Sequence, residues 1–391
     1  MKHILQLSAA WKISSGKPGE PALKRVQLTR NVNEGLLLMP GTVSAAMLEA
    51  SMFLDPAANM VRAGQQMELF QEIDGVRTSC GIFFAEKVEW TGSHSCTVTA
   101  YDSITLLDKD VTAYLNGLGF WPISLGGLAR LVCNHCGLTL VTDTFPNSEV
   151  RVNKPAGYRI TGRQVMKWIC QLAGCFCRAV GDRRVELTWY APASVRVGPA
   201  EKSGKVEITY SDAHLTVRAD SVTVDAGGIT VHQATYNAGE LTVVIPSEMD
   251  TICCFRGGFR RSNEPVAAID GVRLAYSYAA GSVTYPQGGT NLLSIVGNHL
   301  LEGLETDVLT QMTRALYGRI GGASYTTCQL KVPADANIQP GQILEFSDGV
   351  RWFSTYVMRT VRTGGADQVV STGEYLRDNP TAFNNPYEHL R

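Results

Sequence analysis

Residues 341–351 read GQILEFSDGVR, and residues 64–77 read GQQMELFQEIDGVR. Both phrases open on Gly-Gln, hold a Glu inside a short apolar run and close on Asp-Gly-Val-Arg; the first copy has three extra residues. The agreement extends outward. Leu48, Ala50 and Met52 lead into Asp55-Pro56 and then Gly64, while Leu330 and Val332 lead into Pro333-Ala334-Asp335 and then Gly341. Each phrase precedes a long strand pattern, a Gly turn (Gly92, or Gly364-Gly365) and a last strand, TVTAYD or QVVSTGE. Within a copy, the leading Gly permits a tight entry to a strand, and Asp-Gly supplies the positive φ values of a two-residue hairpin loop. A single Asp-Gly is only a turn. Five features in a shared order describe a β unit present twice, and a chain built this way must pack two copies of one small sheet.

The 391 residues allow two or three packed domains. A hydrophobic content of 45% beside 18% charged residues describes a folded chain, not a disordered or multi-span membrane one. Lys plus Arg (35) balance Asp plus Glu (36), so no basic footprint points to wrapping nucleic acid. Contact with DNA is expected to be passive. Lys12 interrupts the apolar start before a signal core forms, so the N-terminus reads as a first strand, and no window has the length of a membrane span. Ten scattered cysteines, including the adjacent Cys253 and Cys254, suit reduced thiols in a bacterial-type cytoplasm.

Strand and turn signals fill residues 1–112. From 113 the pattern changes: Pro122 and Ser124 precede Leu125, Leu128, Leu131 and Val132 at helical spacing, and Thr161 with Gln164 forms a capping box ahead of Val165, Ile169, Leu172 and Phe176, a helix expected to end near Cys177. SVTVDAGGITVHQATY reads as strand-turn-strand, Val266 to Thr284 as a second such pair, and Leu301, Leu304, Val308, Met312 and Leu316 stripe a long helix stopped by Gly321-Gly322. The expected fold class is α+β, mainly β: a first antiparallel β-barrel (1–112), a mixed α/β domain (113–264), a second barrel (265–375) with helix 299–318 inserted, and a tail (376–391).

GTVSAAMLEASMFLDP, GIFFAEKVEW and TVTAYDSITLLDKD together resemble the opening barrel of the central hub proteins of bacteriophage tails, baseplates and related contractile injection systems, where a Tyr-Asp pair closes the barrel. ITGRQVMKWICQLAGCFCRAVGDRRVELTWY is similar to that family's next domain, with its Thr-capped helix ending in Ala-Gly. TNLLSIVGNHLLEGLE is similar to the stretch before its second barrel, with His299 where a Pro is frequent; residues 191–264 match least. The resemblance implies a homotrimer in which two barrels per chain make a ring of six, docking a six-fold tail tube on one side and a three-fold spike or tail-tip protein on the other. It also implies other baseplate proteins as partners, passive contact with DNA or a tape measure in the lumen, and a place at the distal end of a virion or tail-like particle assembled in the bacterial cytoplasm.

Cys133, Asn134, His135 and Cys136, with Cys170, Cys175 and Cys177 beyond, contain half of a zinc pattern, but no second CxxC or HxxxH completes it and the cysteines fall on apolar helical stripes. GPAEKSGK (198–205) has five residues between its glycines and Val206 where a phosphate loop needs Ser or Thr; Gly117-Leu118-Gly119 lacks a third Gly. No GxSxG elbow, HExxH helix or cysteine-nucleophile signature occurs, and Asp102, Asp108 and Asp110 are expected near strand ends. RGGFRR (256–261) is the densest basic run and reads as a solvated loop. No catalytic, cofactor-binding or metal-binding residue is assigned, and no cofactor. Two alternatives stand beside the hub: a peptidoglycan-degrading tail enzyme, for which residues 376–391 are too short a further domain, and a β-rich adhesin, for which Trp90, Trp121 and Trp189 are too dispersed.

Overall fold

A computed structural model describes residues 2–6, 12–14, 22–33, 38–54, 61–73, 75–199, 217–218, 222–224, 233–237, 240–244, 251–255, 259–276, 281–322, 324–333, 338–347, 352–363 and 366–371. The first β unit comprises β1 (Lys2–Gln6), β2 (Lys12–Ser14), β3 (Ala22–Asn31), β4 (Met47–Phe53), β5 (Gln66–Ile73), β6 (Val76–Trp90) and β7 (Ser95–Tyr101). Alternation dictates these strands: Leu48, Ala50 and Met52 of β4 and Cys96, Val98 and Ala100 of β7 are buried, while their neighbours in sequence are not. The pairings run β3, β4, β7, β6, β5, β1, all antiparallel, and β1 reaches β3 again through β2 and one bridge, Ser14 to Ala22.

The segment that follows is helical where the capping residues predict it. After α1 (Thr112–Gly117) and the short β8 (Ile123–Ser124), Ser124 caps α2 (Leu125–His135) by accepting the Gly127 amide at 3.1 Å. β9 (Thr139–Leu140) and β10 (Arg151–Val152) lead to α3 (Gly162–Ala173), capped by Thr161, whose hydroxyl accepts the Gln164 amide at 3.1 Å. α3 ends at Ala173, earlier than expected, because Gly174 turns left-handed (φ 63°). Phe176 and Cys177 therefore lie on β11 (Phe176–Ala179), paired with β12 (Arg184–Thr188).

Strands expected in the middle domain join the large sheet instead. β13 (Ala191–Pro199) pairs with a strand of the second repeat and, after β14 (Val217–Arg218), β15 (Val222–Val224), β16 (Gln233–Asn237) and β17 (Glu240–Val244), β18 (Thr251–Phe255) pairs with β13. β15 pairs with β14 and β16 with β17, so the SVTV and QATY strands belong to two separate hairpins; the turn between them lies outside the described residues. β19 (Phe259–Val266) precedes β20 (Gly271–Ala275), which pairs with β21 (Ser282–Tyr285) as the sequence predicts and with β22 (Leu292–Val296). The last helix is shorter than 299–318: a 3-10 turn at His299–Leu301 is separated from α4 (Thr306–Ile320) by Gly303 at φ 73°. Asn298 caps that turn, its side-chain oxygen accepting the Leu300 amide at 3.1 Å.

The second unit then repeats the first. β23 (Tyr325–Pro333), β24 (Gln342–Ser347), β25 (Trp352–Thr363) and β26 (Ala366–Ser371) pair in the order β19, β23, β26, β25, β24, β13. Position for position this is the order β3, β4, β7, β6, β5, β1; only the outermost pairing differs, β13 being parallel to β24. Among the described residues no pairing joins β18 to β19, so this second set is open. The long strands even bulge at the same place, between Ala85 and Lys87 in β6 and between Val357 and Arg359 in β25.

The Gly-Gln phrase is a corner reproduced to single atoms. Gly64 (φ 79°) donates its amide to the Ala85 carbonyl at 2.7 Å, and Gly341 (φ 88°) to Val357 at 2.8 Å. The Gln65 amide donates to the Arg62 carbonyl while its side-chain oxygen accepts the Arg62 amide (3.1 Å); Gln342 does both with Gln339 (2.7 Å for the amide to side chain). Gly supplies the positive φ, and Gln closes the loop with a reciprocal pair, its backbone amide donating and its side-chain oxygen accepting. The second Asp-Gly-Val-Arg turn lies outside the described residues. A methyl added at Gly64 meets nothing within 4 Å, whereas one at Gly341 falls 2.6 Å from the Phe176 ring. Gly64→Ala is expected to cost only the conformational term of about 1–2 kcal/mol, and Gly341→Ala to exceed it by the roughly 1–3 kcal/mol of overpacking, read from urea unfolding of the two variants.

Candidate functional site

The residues that the sequence brings forward as chemistry are placed apart. Cys133, Cys136, Cys170, Cys175 and Cys177 are all buried in one apolar core with Leu107, Val132, Val165 and Ile169. Burial, with neighbouring Cys136, pushes the Cys133 thiol up to about 12, and burial raises Cys170 and Cys177 well above the ordinary range, so these sulfurs stay protonated. Cys133 Sγ lies 4.0 Å from the Met166 sulfur, an apolar packing contact. Among the described residues no group of three or more Cys, His, Asp or Glu is arranged to hold a metal. His135 instead stacks on Tyr114, ring centroids 4.0 Å apart. A thiol reagent is expected to leave these five cysteines unlabelled in the native chain and to label them in denaturant, by mass spectrometry of the digested protein.

The three neighbouring carboxylates have three separate partners. Asp102, second residue of the Tyr-Asp pair, is buried and accepts the Ala46 amide at 2.9 Å and the Ile104 amide at 3.0 Å, joining the entry of β4 to the 3-10 turn after β7. Asp108 receives both Nε (2.5 Å) and Nη2 (2.8 Å) of Arg163, and Asp110 accepts the Thr112 amide at 2.8 Å. Nothing in this arrangement is an acid-base pair facing a common space. Gly117 and Gly119 flank the end of α1, and GPAEKSGK and RGGFRR lie partly outside the described residues.

Sequence reasoning missed the residues that fasten the parts together. Arg163 on α3 also donates to the Val43 carbonyl at 2.8 Å, beside the backbone bonds Gly41 to Cys175 (2.8 Å) and Cys177 to Thr42 (2.9 Å). Arg178 pairs with Glu186 at 2.6 Å and donates to the Pro340 carbonyl at 2.8 Å, next to the second Gly-Gln corner. Phe176, Tyr190, Tyr325, Tyr356 and Met358 form a small shared core with Val32 and Leu38, which come from the first unit, between β3 and β4. An apolar recess of about 490 Å³ lies along this seam, lined by Leu38, Met39, Val266, Ile269, Leu293 and Tyr325. Only the pairing of Phe176 with an aromatic pair, Trp189-Tyr190, could have signalled it. Thr290 and Asn291 tie Asp270 (2.8–3.0 Å), and buried Asn298 donates to the Trp168 carbonyl at 2.9 Å, so the stretch before the second repeat is a scaffold too.

This architecture has counterparts among solved structures. The 43 kDa tail protein of prophage MuSo2 from Shewanella oneidensis superimposes with a TM-score of 0.51 at 12% identity, over 96% of this chain and 98% of that one. A tail protein from Neisseria meningitidis MC58 gives 0.52 at 10% identity, over 95% and 96%. The fold is that of bacteriophage tail proteins. No protein-family model matches the sequence and no curated protein matches it, so the kinship is one of shape across almost the whole chain. Within this tail-protein fold the described residues contain no helix long and apolar enough to cross a membrane.

Asp102 gives the site a pH signature. Burial pushes its carboxyl up to about 6, against the pull of its two amide bonds and of Arg30 and Arg163. A folded-state value above the unfolded one means the native chain binds the extra proton, so this group's contribution is present below its ordinary value of about 3.9 and is lost as pH rises to about 6. Relative to Asp102→Asn, wild-type stability is expected to fall by on the order of 2–3 kcal/mol between pH 4 and pH 7, measured by urea unfolding at each pH.

Proposed function

We propose that the chain is the structural hub of a phage tail or tail-like injection particle, a homotrimer forming a pseudo-six-fold ring between the tail tube and the central spike, at the distal end of the particle. The supporting observation is the repeat itself: one chain carries the same strand order, corner and bulge twice, with its two units joined edge to edge. On this reading each unit is a β-barrel, the middle segment from about 113 to 264 lies between them in the chain and lends β13, β18 and most of β19 to the second, and the duplication lets a three-fold assembly present six similar faces to a six-fold tube. The likeness to tail proteins along the whole chain supports the same reading. Tube, spike and other baseplate proteins are the partners this implies, with DNA or a tape measure passing through the lumen without specific contact.

Light scattering after gel filtration tests it. A mass near three times 42.5 kDa is expected, with a ring of three-fold symmetry in negatively stained images. A chain that stays monomeric at every concentration, or that assembles with a different stoichiometry, sinks the ring.

A further inference from the structure

The junction within the chain dictates what the junction between chains must look like. β25 is flanked by β24 as far as Tyr356; beyond the bulge the same edge is taken over by β3 of the first unit, in five residue pairs from Arg359–Asn31 to Thr363–Gln27. The Val32 amide extends the seam to the Met358 carbonyl at 3.0 Å. The other edge of β25 belongs to β26. β6 is built the same way: β5 flanks it as far as Phe84, the Gly64 corner caps Ala85, and β7 holds the opposite edge. Past the bulge, from Glu86 to Trp90, the edge that β5 leaves has no partner strand among the described residues. β19, the counterpart of β3, pairs with β23 on one side only among the described residues, whereas β3 has strands on both sides.

We infer that the open edge of β6 pairs antiparallel with β19 of a second copy of this chain, reproducing between chains the β25–β3 junction within it. Resting on the trimeric reading above, this names the surface that makes the trimer. The step is head to tail in one direction: β25 of unit two holds β3 of unit one, and β6 of unit one would hold β19 of the next chain's unit two. If both steps share one rotation of a sixth of a turn, six units close with three chains, and the open edges of β6 and β19 are both covered. Burial fits: Thr360 and Arg362, inside the existing junction, are each 3% exposed, while Val88 and Trp90, their counterparts on β6, are only half-buried. β19 carries Pro265, a residue that sheets tolerate at an edge.

The register follows by transfer. Thr363 faces Gln27 within the chain; Thr91, the residue that follows β6, and Arg260 of β19 hold those positions, counted from the shared bulge of the long strands and through the β4 and β23 partners. The double variant T91C/R260C, mildly oxidised and run without reductant, is expected to give dimers and trimers and nothing larger, with neither single variant cross-linking. The pair T363C/Q27C, placed in the existing junction, should close within one chain and sets the yield to expect. A double variant that sediments as a trimer without cross-linking overturns the edge pairing and leaves the trimeric reading standing. A protein that is monomeric before oxidation overturns both. A ladder beyond the trimer overturns the closed ring.

Discussion

The antiparallel seam between β3 and β25 is the contact on which the rest of the architecture turns. β3 lies between β4 and β25, so a single strand serves as the wall of one unit and the border of the other. A strand bonded on both edges cannot slip by one residue without reversing which of its side chains face each core, and that fixes the register in which the two repeats meet. Buried Arg362 shows how closely the seam is knit: from β25 it reaches Gln71 of β5 and, at 3.4 Å, the Cys80 sulfur of β6. A guanidinium so deeply placed is held by several acceptors at once, and removing it would leave polar groups stranded in a dry interior.

The middle segment acts as a brace across this seam. Its α3 is held to the first unit by the Arg163 fork on Asp108 and by backbone bonds at Gly41 and Thr42, and its small sheet is held to the second unit by Arg178 and by Phe176 lying against Gly341. Charge-assisted, two-pronged bonds of this kind are short and directional, so they set orientation more than they add stability. The apolar part of the brace is the thiol-rich core between α2 and α3, where Cys fills narrow gaps. Gly162 is needed there because any side chain would fall 2.8 Å from the Cys136 sulfur.

Duplication also accounts for an asymmetry between the units. The first is nearly sealed by its own N-terminal strands, while the second borrows β13 and β18 from the far side of the middle segment and pairs them in parallel. Parallel pairing needs a long crossover, and the chain has one in each case, from β13 at residue 199 to β18 at 251 and to β24 at 342. Two units with the same internal order can thus present matching outer edges while being completed from different parts of the chain.

The sequence by itself determined the local pieces. The Gly-Gln corners, the Ser124 and Thr161 caps, the alternation of β4 and β7 and the identity of the repeat are all written in spacings of a few residues, because turn geometry, capping and strand period are local physics. It also placed the cysteines on apolar stripes. What the tertiary structure decided were element ends and partners: α3 stops at Ala173 and not near Cys177, the last helix starts at Thr306 and not at 299, and the strands at 191–199, 251–255 and 259–266 pair into the large sheet. Gly174 and Gly303 end or delay those helices through single left-handed residues whose effect depends on what packs around them. The pairing of β3 with β25, the burial of Asp102 and the clamps of Arg163 and Arg178 join residues tens to hundreds of positions apart. No local pattern records such contacts; they exist only once two sheets and a brace have competed for the same apolar surface and the chain has settled which edge meets which.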